Sequence, residues 1–297
     1  KTIASDSLPN AAKIARGKSG LLWVVWRNGD GSKINYRFST DNGDNWQDGA
    51  GNGTVASESS GTHVWPTVVI DNNDGVHVFW SKSKGSAKGE IIYGDWNGSS
   101  FTTGNITNDT ANPYDAEPSA VLDSNNVIHV IWRKQAKTSP GEIWEIRHVQ
   151  RPASGGTWAG YDILASIAGD VFRPPSVDVD DANNVYVSFS EPVAGGKRRA
   201  ALVSFIGGKA ERGPDLPYRT FVSITDIAVS SQGNVQAHVA YQDDVGGNGD
   251  VYYARVDIGP VGPAATPNII PTTTNQRAVN VAFEAQSGNP EQVRWRW

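Results

Sequence analysis

Side chains able to hold or turn over a polar ligand recur at one kind of place in this 297-residue chain. They sit just ahead of short β-branched runs: His63 and Trp65, Asp115 and Glu117, Arg173, then Tyr218 and Arg219. A second set, Arg27, Asp30 and Arg133, follows the aromatic residue that closes the next run. Arginine grips a carboxylate through two parallel hydrogen bonds, so Arg27, Arg133, Arg173 and Arg219 are candidate anchors for an anionic ligand. Trp65 and Tyr218 offer flat stacking faces. Asp30, Asp115 and Glu117 are candidates for acid–base work, and His63 or Tyr218 for the neutral base of an elimination. Such a set suits a ligand rich in hydroxyls and carboxylates.

What must position these residues is a repeat. Trp65-Pro66-Thr67-Val68-Val69-Ile70 and Val76-His77-Val78-Phe79-Trp80 read as two strands joined by the turn Asn72-Asn73-Asp74-Gly75. The pattern returns around Glu117-Pro118 to Trp132, around Pro175 to Phe189 and, more worn, around Ile224 to Tyr241 and Pro271 to Phe283, with a first copy ending at Trp26. A third strand follows each pair. Self-similar units of several strands at roughly 50-residue spacing predict a β-propeller.

The expectation is therefore an all-β, six-bladed propeller filling residues 1–297 as one domain. The blades fall near 8–58, 59–109, 110–166, 167–215, 216–265, and 266–297 with 1–7. The sixth repeat stops at its third strand, so the N-terminal residues are expected to supply its outer strand and remove an exposed edge. Residues just before each first strand, with the loops joining second and third strands, then meet at one mouth around the axis.

Composition narrows the partners. The net charge is −5 without a basic face, which argues against nucleic acid and anionic membrane surfaces. No apolar run approaches the length of a membrane helix, so membrane insertion is not expected. Cysteine and methionine are both absent, removing disulfides and thiolate metal sites. The Asp-rich turns lack the ligand spacing of an EF-type calcium loop, and no metal or cofactor is expected. Lys1 as first residue suits a cleaved leader, and Asn52, Asn97, Asn105 and Asn108 head glycosylation sequons. Secreted or cell-surface localisation is the expectation.

Ser39-Thr40-Asp41-Asn42-Gly43-Asp44-Asn45-Trp46 is S-x-D-x-G-x-x-W, lying between a third and a fourth strand. It resembles the Asp-box of sialidase-like BNR-repeat propellers, with Ser39, Asp41, Gly43 and Trp46 as its structural residues. The likeness covers essentially the whole chain and implies the propeller fold. The group holds sialidases, other glycosidases, polysaccharide lyases, lectins and scaffolds, so activity does not follow from it. Sialidases of the group open their first inner strand with Arg-Ile-Pro; the matching triplet here is Ser7-Leu8-Pro9. The first carboxylate-gripping arginine is absent, which argues against a true sialidase.

Two readings result. One is an extracellular propeller that binds glycan, anionic glycan included, or another surface protein through its axial pocket. The other is a glycoside hydrolase or polysaccharide lyase using the same pocket.

Overall fold

The β-branched runs of the repeat form strands because their alternate side chains bury against neighbouring sheets while Asp/Asn/Gly turns reverse the chain. The computed structural model describes residues 10–49, 53–58, 62–83, 89–108, 114–216, 222–231, 234–245, 248–258 and 266–270. Among these, twenty strands make five antiparallel four-stranded units, and regular structure is all-β apart from a short 3-10 turn at Ala194–Gly196.

The first unit holds β1 (Asn10–Arg16), β2 (Leu22–Arg27), β3 (Lys33–Ser39) and β4 (Thr54–Ser57). The second holds β5 (Thr62–Ile70), β6 (Val76–Ser83), β7 (Gly89–Trp96) and β8 (Phe101–Asn105). The third holds β9 (Tyr114–Leu122), β10 (Val127–Lys137), β11 (Ile143–Pro152) and β12 (Asp162–Ala168). The fourth holds β13 (Phe172–Val179), β14 (Val185–Val193), β15 (Lys197–Ile206) and β16 (Lys209–Arg212). The fifth holds β17 (Val222–Ser230), β18 (Gln236–Val245), β19 (Asn248–Asp257) and β20 (Thr266–Ile270). Each unit runs in chain order as a meander, and one parallel contact, Gly89 with Tyr114, joins the second to the third.

The fifth unit differs from the sequence expectation. Thr266–Ile270 pairs with β19 as a fourth strand rather than opening a sixth unit. Proline lacks the ladder N–H, so Pro267 suits this outermost position. Residues 271–297 and 1–7, expected to complete a sixth blade and its closure, lie outside the described residues.

The first strands of successive units contact one another, β1 with β5, β5 with β9, β9 with β13 and β13 with β17. The core lies between adjacent sheets. Trp23, Tyr36, Val68, Trp80 and Ile92 pack between the first and second, and Ile131, Ile146, Val187 and Phe189 between the third and fourth. Fully burying each such side chain contributes about 1.5–3 kcal/mol.

Two sets of left-handed residues mark the ends of the sheets. Asp74, Asn126 and Asn183 have φ of 62°, 63° and 64° in the turns after β5, β9 and β13, a conformation that Asp and Asn tolerate best after glycine. These turns are held by one aspartate each: Asp71, Asp123 and Asp180 accept backbone N–H bonds from Gly75, Val127 and Asn184, each at 2.8 Å. They also join blade to blade. Asn72 N–H donates to Asn126 Oδ1 at 2.8 Å, and Ser124 N–H to Asn183 Oδ1 at 2.9 Å.

The second set lies at the opposite end. Trp65, Glu117 and Arg173 have φ of 55°, 59° and 72°. Each precedes a proline and sits where the pairing of its strand slips in register, between Val64 and Thr67, Ala116 and Ser119, and Phe172 and Ser176. A bulge of this kind turns a side chain away from the sheet face it would otherwise take. Bulky residues with positive φ are strained, and such strain gathers where side chains must be presented.

Candidate functional site

At that end, a cleft of about 380 Å³ opens between the third and fourth units. Its floor is the start of β9 and the end of β10, and Trp144 at the start of β11 forms one wall. Asp170, just ahead of β13, and Arg173, near the start of β13, form the other.

Arg133 holds the cleft together. Its Nε pairs with Glu117 Oε2 at 2.7 Å, Nη2 donates to Glu117 Oε1 at 3.0 Å, and Nη1 reaches Asp170 Oδ1 at 3.4 Å and the Val171 carbonyl. Its guanidinium also lies over the Trp144 ring at 4.6 Å and nearer the edge of its range from Tyr114, at 5.9 Å. Burial pushes the Glu117 carboxyl up, against the pull of Arg133. Burial likewise raises Asp170, with Arg133 and Arg198 opposing. Because both carboxyls grip one guanidinium, they stand no further apart than roughly 9 Å, within the span of paired acid–base carboxylates.

Glu117 is fixed from the neighbouring sheet as well. Its backbone N–H donates to the buried Ser81 Oγ at 2.6 Å. Arg173 is exposed at the rim, and its guanidinium lies 5.9 Å from the centre of the half-buried Trp65 ring. That contact spans from the second unit to the fourth, past the third. Residues from three units therefore share one mouth.

No known protein family and no curated protein matches the sequence. Solved structures do. One is a Hadza microbial sialidase, at TM-score 0.59 and 12% identity over 88% of this chain; the chain spans 58% of that protein's length. An ulvan lyase of a new polysaccharide lyase family, bound to a glucuronate–sulfated rhamnose repeat, matches at TM-score 0.59 and 12% identity, over 87% of this chain and 70% of its own. A thermostable family-43 glycoside hydrolase matches at TM-score 0.54 and 11% identity, over 91% and 96%. At such identities the likeness carries the fold.

The fold is a β-propeller.

Each four-stranded unit is thus a propeller blade, and the cleft lies at the axial end where the inner strands begin. Of the sequence candidates, Glu117, Arg133 and Arg173 line this cleft, and Trp65 stands beside it. Arg133 is occupied by two carboxylates, a carbonyl and two rings, so it organises the cleft instead of reaching outward.

His63 and Asp115 are not among the lining residues. They hold one repeat position, paired with Lys82 and Lys134 respectively. Both accept the indole N–H of the tryptophan closing the second strand: Trp80 Nε1 to His63 Nδ1 at 3.0 Å, Trp132 Nε1 to Asp115 Oδ1 at 2.7 Å. Lys134 Nζ adds a bond of 3.1 Å to Asp115. Burial lowers the His63 pKa and raises that of Asp115. Their geometry is that of blade-core acceptors.

Asp30 is exposed and serves its own loop, accepting from Ser32 N–H at 2.9 Å and Asn28 Nδ2 at 2.6 Å; the Ser32 amide chiefly lowers its pKa. Among the described residues, the buried Nε of Arg27 has no hydrogen-bond partner. Tyr218, Arg219 and Asn52 lie outside the described residues. Asn97, Asn105 and Asn108 are exposed.

The Ser39–Trp46 turn closes on itself. Asp41 accepts from Asn45 N–H at 2.8 Å and from Ser39 Oγ at 2.6 Å, and Trp46 Nε1 donates to Gly43 O at 3.1 Å. Gly43 takes φ of 94°. The Ser39 hydroxyl and the Asn45 amide hold the Asp41 pKa down to about 2.

Trp144, Tyr114, Gln135 and Asp170 were not singled out from the sequence as site residues. Trp144 is an aromatic near the start of a third strand. It begins its strand directly after the loop that returns to the mouth, and this position was the available signal.

Proposed function

We propose that this propeller is an extracellular glycan-binding or surface interaction module whose ligand sits at the mouth formed by the second, third and fourth blades. The observation that carries the reading is the meeting of Arg173 and Trp65 beside an aromatic-walled cleft. A cation and a flat ring at adjacent rim positions suit a sugar bearing a carboxylate or sulfate, the ring taking the sugar face and the guanidinium the anion. Structural neighbours titled as a sialidase and as an ulvan lyase with a glucuronate ligand support a carbohydrate partner. Three exposed sequon asparagines support an extracellular setting, and the self-closed Ser39–Trp46 turn supports kinship with Asp-box propellers.

A second reading rests on Glu117 and Asp170. Two carboxyls raised by burial within reach of one cleft suit a glycoside hydrolase, Glu117 being the acid. Their shared clamp on Arg133 favours binding over turnover, because proton delivery by Glu117 would break two contacts to the guanidinium. A panel of neutral and uronate oligosaccharides scored for both retention and product release tests the choice. Binding without new reducing ends or unsaturated products supports the module; product formation lost in Glu117→Gln supports the hydrolase.

A further inference from the structure

A second cavity, of about 310 Å³, lies at the far end of the same junction between the third and fourth blades. Its chemistry is unlike that of the mouth. Among the described residues, one carboxylate, Asp162, lines it, and no lysine or arginine does. Gln150 and Asn184 add amides, and Phe205 adds a ring face. Gly207 and Gly208, at φ of 57° and 79°, border it where a Cβ would meet nothing within 4 Å.

A line of four titratable side chains runs along the wall, and His129 and Asp162 among them line the cavity. Asp123 Oδ2 lies 3.4 Å from His129 Nε2, His129 Nδ1 lies 3.0 Å from His148 Nε2, and His148 Nδ1 lies 3.3 Å from Asp162 Oδ2. Three gaps between hydrogen-bonding atoms need three protons. Two neutral imidazoles carry two. The rings are neutral because burial holds both down, His148 to about 4. Leaving the His129–His148 gap without a proton would set two nitrogen lone pairs against each other at 3.0 Å, so the empty gap falls at a carboxylate.

Solvent access decides which one. The Asp123 side chain is 5% exposed and must be satisfied from within, so His129 Nε2 donates to it, and His148 Nε2 then donates to His129 Nδ1. Asp162, 48% exposed and bordering the cavity, is left facing the bare Nδ1 of His148. Its open side borders the cavity, where a ligand donor can replace solvent.

We infer that this cavity binds an amino sugar, with the ammonium on Asp162, the ring face on Phe205 and hydroxyls on Gln150 and Asn184. A single negative charge, an aromatic face, two amides and room for about one sugar ring together select a polyhydroxylated cation over an anion. The site is independent of the mouth and does not rest on the reading given for it.

Isothermal titration of the intact chain at pH 7 with glucosamine, glucose and glucuronate tests the inference. Glucosamine is expected to bind at least fivefold more tightly than glucose, and any glucuronate binding to be lost in Arg173→Ala and kept in Asp162→Asn. Asp162→Asn should bring glucosamine down to the glucose level, Phe205→Ala should weaken both, and Arg173→Ala should change neither. Circular dichroism confirms that each variant is folded. Equal affinity for glucose and glucosamine, glucuronate binding lost in Asp162→Asn, no saturable glucosamine binding, or loss of glucosamine binding in Arg173→Ala with Asp162→Asn unaffected would each overturn it.

Discussion

The guanidinium of Arg173 lies 5.9 Å from the centre of the Trp65 ring, although the two residues belong to blades separated by a third. Only convergence of inner strands on one axis brings them together. Both hold the same left-handed, pre-proline position of the repeat, at φ of 72° and 55°.

That conformation costs an arginine of order 1 kcal/mol or more, and glycine almost nothing. Arg173→Gly is expected to raise the urea midpoint modestly while weakening glycan retention. Stability gained and function lost in one substitution would mark the bulge as strained for ligand presentation. A lower midpoint would show that the backbone there is relaxed.

Ser81 on the second blade accepts the backbone N–H of Glu117 on the third. Ser81→Ala leaves that buried N–H without its acceptor, so a loss of about 1–3 kcal/mol is expected in denaturant unfolding. Ligand affinity should fall as well, since Glu117 and with it Arg133 lose their support. Ser81→Thr, which retains a hydroxyl, should recover most of both.

Asp115 is fully buried between Trp132 and Lys134. Asp115→Ala removes the buried carboxylate that accepts from Lys134 Nζ and the Trp132 indole N–H, with an expected cost of about 3–5 kcal/mol. Its effect on binding should follow from unfolding alone. A folded Asp115→Ala variant with normal stability and no ligand affinity would instead place this carboxyl in the site.

The buried imidazole pair sets a pH dependence. The folded pKa of His148 is depressed to about 4, below the ordinary value of 6.5. Between those values the unfolded chain takes up a proton that the folded chain refuses. Stability tied to this group is thus full above about 6.5 and is lost as pH falls towards 4, by about a kilocalorie per mole for each pH unit. Raised carboxyls such as Glu117 and Asp170 act in the opposite sense at lower pH, so the contribution is read by difference. His148→Gln is expected to flatten the slope of unfolding free energy between pH 6.5 and 4.5. An unchanged slope would mean that the pair is already charged when folded.

Much of the blade architecture was legible because turn chemistry is local. Asp71, Asp123 and Asp180 announce their hairpins through the Asn and Gly residues that follow, and the strands lie where the β-branched runs predict. The mouth was legible in outline, since propeller connectivity alone places Trp65, Glu117 and Arg173 at the starts of inner strands. Their left-handed backbone was not, because a residue before proline is ordinarily extended. The roles of His63 and Asp115 were hidden for another reason. A histidine and an aspartate share no sequence signature, yet both accept an indole proton from the neighbouring strand, and only register reveals the equivalence. Asp170 escaped notice because the loop carrying it has no repeat partner of its own type.

The most direct test titrates a uronate-containing oligosaccharide against the intact chain and against Arg173→Ala and Trp65→Ala. The account requires saturable binding that falls at least tenfold in each variant, with unfolding midpoints not lowered. Equal affinity in all three proteins would contradict it and remove the axial mouth as the ligand site.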